Sequence, residues 1–63
     1  MILMPVFVRD VRVGDHIYDD LERRWSPVIE VTHNAPEVVV ATDTLIMYRH
    51  PTDAITIQRE EQP

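Results

Sequence analysis

Cysteine is absent from this 63-residue sequence, which excludes disulfides and thiolate zinc sites. Lysine is absent too, so the six basic residues are all arginine, set against eleven carboxylates for a formal net charge of −5 at pH 7. No basic tract is longer than Arg23-Arg24. Binding to a phosphate backbone normally calls for a basic face, so nucleic acid is not the expected partner. No apolar run approaches the ~20 residues of a membrane span. The apolar start, Met1 to Val8, has no basic leader and is interrupted by Pro5, unlike a signal peptide. Together with the missing cysteines, this leads to the expectation of a soluble cytoplasmic protein with no membrane partner.

Size sharpens what these absences mean. Ordering each residue costs roughly 1.5 kcal/mol, and a core built from so short a chain recovers little more than that. Small proteins escape through disulfides, a structural metal or oligomerisation. With the first excluded, self-association, in the form of a homodimer, is the expected remedy.

What is present reads as β throughout. Val, Ile and Thr dominate the apolar runs, and no window carries the i, i+3, i+4 recurrence of a helix. Strands are expected over Leu3 to Val8, up to Tyr18 after the lone glycine, Trp25 to His33, Val38 to Thr42, Thr44 to Arg49 and Ala54 to Gln58. In the Trp25 to His33 strand, Pro27, Ile29 and Val31 should share one face. Gly14 predicts a turn or bulge with positive φ, and Asp15 after it can accept backbone N–H bonds and hold the bend. Asp19 to Arg24 reads as an exposed charged loop, Asn34 to Glu37 as a turn, and His50 to Asp53 as a short 3₁₀ turn before the last strand. One domain is expected over residues 1–58, followed by a polar tail over 59–63.

Val11-Arg12-Val13-Gly14-Asp15-His16-Ile17 resembles the V-x-x-G-D-x-I entry of SH3-like barrels. The charged loop, the three meandering strands and the final strand after a short turn follow the same order. The fold this implies is a small all-β, SH3-like barrel of about five strands. The whole chain also resembles small orphan proteins of actinobacterial phages, on Val11 to Tyr18, Thr42-Asp43-Thr44 and Tyr48 to Asp53. Proteins of that kind commonly act by binding a host or phage protein.

Catalytic chemistry finds little to build on. Ser26 is followed at once by Pro27, without a nucleophile elbow, and Gly14 alone makes no phosphate-binding loop. The acidic pairs Asp19-Asp20 and Glu60-Glu61 fall in the charged loop and the tail, where solvated charges are expected. His16, His33 and His50 lack the close spacing that sets two ligands on one face. The expectation is therefore a non-enzymatic protein with no metal or cofactor.

Two surfaces carry the binding expectation. Val38 to Ala41 and Leu45 to Tyr48 are apolar at consecutive positions, so apolar side chains must leave the interior side of the sheet. The face assigned to self-association is Val39, Ala41, Leu45 and Met47, unless Met1 to Met4 covers it. The surface assigned to a protein partner is Asp20, Glu22, Arg23, Arg24 and Trp25, with Trp25, Tyr18 and Tyr48 able to form one aromatic patch. The alternatives are a nucleic-acid-associated SH3-like protein, using clustered arginines, or an acidic mimic of nucleic acid with its carboxylates on one face.

Overall fold

A computed structural model describes residues 1–60. They form six antiparallel strands and one short 3₁₀ helix: β1 (Ile2–Phe7), η1 (Val8–Asp10), β2 (His16–Asp19), β3 (Arg24–Asn34), β4 (Glu37–Thr42), β5 (Ile46–Arg49) and β6 (Ala54–Arg59). The strands make one sheet in the order β1-β6-β2-β3-β4-β5. The chain is thus all-β, as its composition predicts, with a strand for each of the six expected runs, one more than the about five of the SH3-like barrel. The sheet does not close on itself, and β1 and β5 are its two edges.

The long strand β3 bends the sheet. Residues 24–27 pair with β2, whereas Val28 to Asn34 pair with β4. A register shift between Val28 and Glu30 marks the changeover. An extra residue in one strand reverses which side chains face inward. Before the shift Ser26 and Val28 are buried; at it Ile29 is turned out to solvent, and beyond it Val31 packs on the core. The expected shared face of Pro27, Ile29 and Val31 is corrected by this bulge.

The core is Val8, Val11, Ile17, Val28, Val38, Val40 and Ile57, with Met4, Val6, Val31, Met47 and Ile55 packed against it. In β4 the burial alternates strictly, with Val38, Val40 and Thr42 inside and Val39 and Ala41 outside. β-branched side chains suit this pleated, half-buried surface. In β1, Met4 and Val6 face the core while Leu3, Pro5 and Phe7 face out.

Two further expectations are corrected. The 3₁₀ segment is Val8–Asp10, closed by Val11 N–H to the Val8 carbonyl at 3.1 Å. His50 to Asp53 is instead a four-residue hydrogen-bonded turn: Asp53 N–H donates to the His50 carbonyl, and the Asp53 carboxylate accepts from His50 N–H, both at 3.1 Å. Arg59, read as the first residue of a tail, is the last residue of β6 and pairs with Ile2. The rest of that tail, beyond Glu60, lies outside the described residues.

Candidate functional site

Two buried aspartates, Asp15 and Asp19, fix the loops at both ends of β2. Each is only 3% exposed, and a buried carboxylate must find hydrogen-bond donors.

Asp15 finds a charged one. Arg12 to Asp15 is a turn closed by Asp15 N–H to the Arg12 carbonyl at 3.0 Å. Its third residue, Gly14, has φ of +97°, a conformation that costs residues with a Cβ. The Asp15 carboxylate accepts from Arg12 N–H at 2.8 Å and from Arg59 Nε and Nη2 at 2.9 Å each. Burial acts to raise the Asp15 pKa. The Arg59 fork and the Arg12 N–H outweigh it, holding the group below its ordinary value. Arg59 also reaches the Asp10 carbonyl at 3.2 Å, so the end of β6 is tied to the η1 segment. A shallow depression of about 190 Å³, lined by Arg12, Val13, Gly14, Asp15, Arg59 and Glu60, lies beside this ion pair.

Asp19 finds neutral donors. Its Oδ1 accepts from Leu21 and Glu22 N–H at 2.9 and 3.1 Å. Its Oδ2 accepts from the Thr44 hydroxyl at 2.7 Å. Because that hydroxyl donates to a carboxylate, its oxygen is left to accept, and Ser26 Oγ at 3.2 Å supplies a hydrogen; Thr42 Oγ1 lies 3.3 Å from it and directs its own hydroxyl to the Leu45 carbonyl at 3.5 Å. Thr44, then the Glu22 N–H, hold the Asp19 pKa down against burial. The charged run Asp19 to Arg24 predicts an exposed side chain at Asp19. Asp19 is instead the knot joining the β2–β3 turn to the β4–β5 turn.

The expected partner-contact residues therefore stand on a turn with a fixed base. Asp20, Glu22, Arg23 and Arg24 are exposed, and Leu21 at the tip is 92% exposed. Arg23 takes the left-handed conformation at φ 55°. Arg24 pairs with Asp43 at 3.0 Å across the two turns, with both side chains well exposed, an arrangement worth under about 1 kcal/mol. Trp25 is half-buried and meets Tyr18 edge to face, with centroids 5.5 Å apart. Tyr48 lies on β5 and shares a register position with Val39, not with this pair. The sequence did not single out Leu21, since one apolar residue amid charges carries no pattern.

The outward face of β4 and β5 is sorted by register. Val39 pairs with Tyr48, Ala41 with Ile46 and Val40 with Met47. Directly opposed residues share a face. Val39, Ala41, Ile46 and Tyr48 thus form one outward apolar group, in which Ile46 and Tyr48 are each 61% exposed. Of the four residues assigned from sequence, Val39 and Ala41 belong to it. Met47 is corrected to the core side, and Leu45 precedes β5 as the half-buried closing residue of the Thr42 to Leu45 turn. Met1 to Met4 leaves Ile46 and Tyr48 uncovered, each 61% exposed, and β1 lies at the opposite edge of the sheet.

The remaining candidates are dispersed. Ser26 is fully buried with its hydroxyl spent on Thr44. His33 and His50 are exposed, while His16 is half-buried with Nδ1 unpartnered among the described residues. Among those residues no three His, Asp or Glu side chains are grouped to hold a metal ion. Arg9 lies over the Phe7 ring at 4.9 Å, and Arg24 and Arg59 are paired with carboxylates. Among the described residues no helix is long and apolar enough to cross a membrane. The chain matches no protein-family model, no curated protein and no solved structure.

Proposed function

We propose that this chain is a non-enzymatic protein-binding module that self-associates through the outward side of β4 and β5. The observation that carries the reading is the apolar group Val39, Ala41, Ile46 and Tyr48, with Ile46 and Tyr48 each 61% exposed. Small chains without disulfides gain most from covering such a surface. The fold reading behind it is an open SH3-like sheet: β6-β2-β3-β4-β5 run as a bent meander, the last strand returns beside the first, and β1 is added at one edge. The β2–β3 turn is the surface for a second protein, of host or phage origin. It projects Leu21 between Asp20 and Glu22, and Asp19 fixes its backbone before any partner arrives, which lowers the ordering cost of binding.

Ile46→Glu and Tyr48→Asp test the self-association. Both positions face solvent in the isolated chain, so the fold should persist in circular dichroism. Light scattering should show the mass falling to that of a single chain. Association unchanged in both variants would remove the β4–β5 face from the reading.

A further inference from the structure

The two edges of an open sheet carry unpaired backbone groups, and hydrogen bonds already made show which ones. In an antiparallel pair, residues with backbone groups aimed at the neighbouring strand alternate with residues whose groups aim away. Thr42 N–H donates to the Leu45 carbonyl at 2.8 Å, so bonded positions recur at Val40 with Met47 and Val38 with Arg49. Ile46 and Tyr48 therefore turn their N–H and C=O groups to the free edge, and their side chains to the outward face. At the other edge, Val8 N–H donates to the Asp53 carbonyl at 2.9 Å. The same count leaves Leu3, Pro5 and Phe7 facing outward from β1. Pro5 has no N–H to offer, so a donor is missing at the centre of that edge. In β5 no proline, lysine or bulge interrupts the edge.

We infer that β5 pairs with β5 of a second copy, antiparallel about a two-fold axis at Met47, so that two sheets become one. This rests on the self-association proposed above and specifies its geometry. With Met47 opposite the partner's Met47, Ile46 stands opposite the partner's Tyr48, and Tyr48 opposite the partner's Ile46. All four edge N–H groups of the two copies then find carbonyls. On the outward face two aromatic–β-branched pairs form, a favourable cross-strand combination.

Charge selects the same occupant. Two copies each carrying −5 repel wherever carboxylates meet. Thr44 to Thr52, which contains β5, has no carboxylate, and only Met1 to Arg9 equals it in length without one. The β5 edge thus lets two acidic chains approach at one of their two longest acid-free segments, and the other is interrupted by Pro5.

A chain of this length can be made by chemical synthesis with one backbone nitrogen methylated. N-methylation at Tyr48 removes an edge donor but keeps the side chain and the β4 ladder; the same change at Leu3 alters the opposite edge. Masses are read by light scattering over a hundredfold concentration range, with circular dichroism checking the fold. The expected result is a dimer for the unmodified and Leu3-methylated chains and a monomer for the Tyr48-methylated chain. A Tyr48-methylated dimer overturns the edge pairing while leaving self-association through the face intact. A monomeric unmodified chain overturns both. A measurement that needs no variant is amide exchange of the unmodified chain: Ile46 and Tyr48 should exchange at least tenfold more slowly at high than at low concentration, with Leu3 unchanged. Equal rates at both concentrations for Ile46 and Tyr48 contradict the pairing.

Discussion

The two ends of this sheet are secured in different ways. Near the β1 edge, Asp15 binds Arg59 through a charged fork, Arg9 covers Phe7, and Pro5 interrupts the row of edge donors. Near the β5 edge, Asp19 binds a hydroxyl and two turn amides, and the strand beyond keeps its donors and an apolar outward face. One end is closed by charge and proline; the other is held in place but keeps free edge donors beside an exposed apolar face. In a chain without disulfides, a buried aspartate at each end does the stapling, and the choice of its partner decides how the loop is held. In the proposed pairing, proline and not the aspartates decides which edge accepts another strand.

That comparison can be strained from the closed end first. Arg59→Ala strips the fork from a buried carboxylate that keeps only one turn amide. It should cost about 2–3 kcal/mol in denaturant unfolding. A cost near zero would mean that the fork is incidental. Gly14→Ala should cost about 1 kcal/mol through its positive φ alone, because nothing lies within 4 Å of where the Cβ would sit. A neutral effect on the unfolding midpoint would show that the turn relaxes freely.

Acid should loosen both ends. Asp15 and Asp19 have folded-state pKa values below the ordinary 3.8. Their contribution to stability is therefore full above the unfolded-state value and is lost as pH falls through the folded-state values. Unfolding free energy should be level near neutrality and decline below about pH 4. The decline should be shallower in Asp15→Asn and Asp19→Asn, each already weaker at pH 7. Unchanged slopes in both variants would assign acid sensitivity to other carboxylates. The smallest effect on the fold is expected from Pro5→Thr, which restores a donor to the β1 edge. Its stability should barely change, while its mass at high concentration should rise beyond that of the wild-type chain. Equal masses would show that Pro5 does not guard that edge.

Much of this architecture was legible in local sequence. Val, Ile and Thr runs marked the strands, and Gly14 marked a position of positive φ. What was hidden depended on distant partners. Asp19 looked like one of several solvated charges until Thr44, 25 positions away, supplied its hydroxyl. Arg59 looked like tail because its partner, Asp15, lies 44 positions earlier. The bulge at Val28 to Glu30 leaves no mark in the sequence, yet it parts Ile29, which faces solvent, from Val31, which packs on the core. For the β4–β5 face, composition correctly implied outward apolar side chains, but only register separated Ile46 and Tyr48 from Met47. The turn over residues 42–45 that carries this register is closed by Thr42 N–H to the Leu45 carbonyl, with the Thr42 hydroxyl accepting from Thr44 and Leu45 N–H.

The most direct test of self-association is the solution mass of the unmodified chain, followed by light scattering or sedimentation over a hundredfold range of concentration. The mass should approach twice the 7.4 kDa of one chain, with no larger species, because a two-fold pairing through β5 leaves only the proline-interrupted β1 edges free. A mass fixed at that of one chain throughout the range would contradict it.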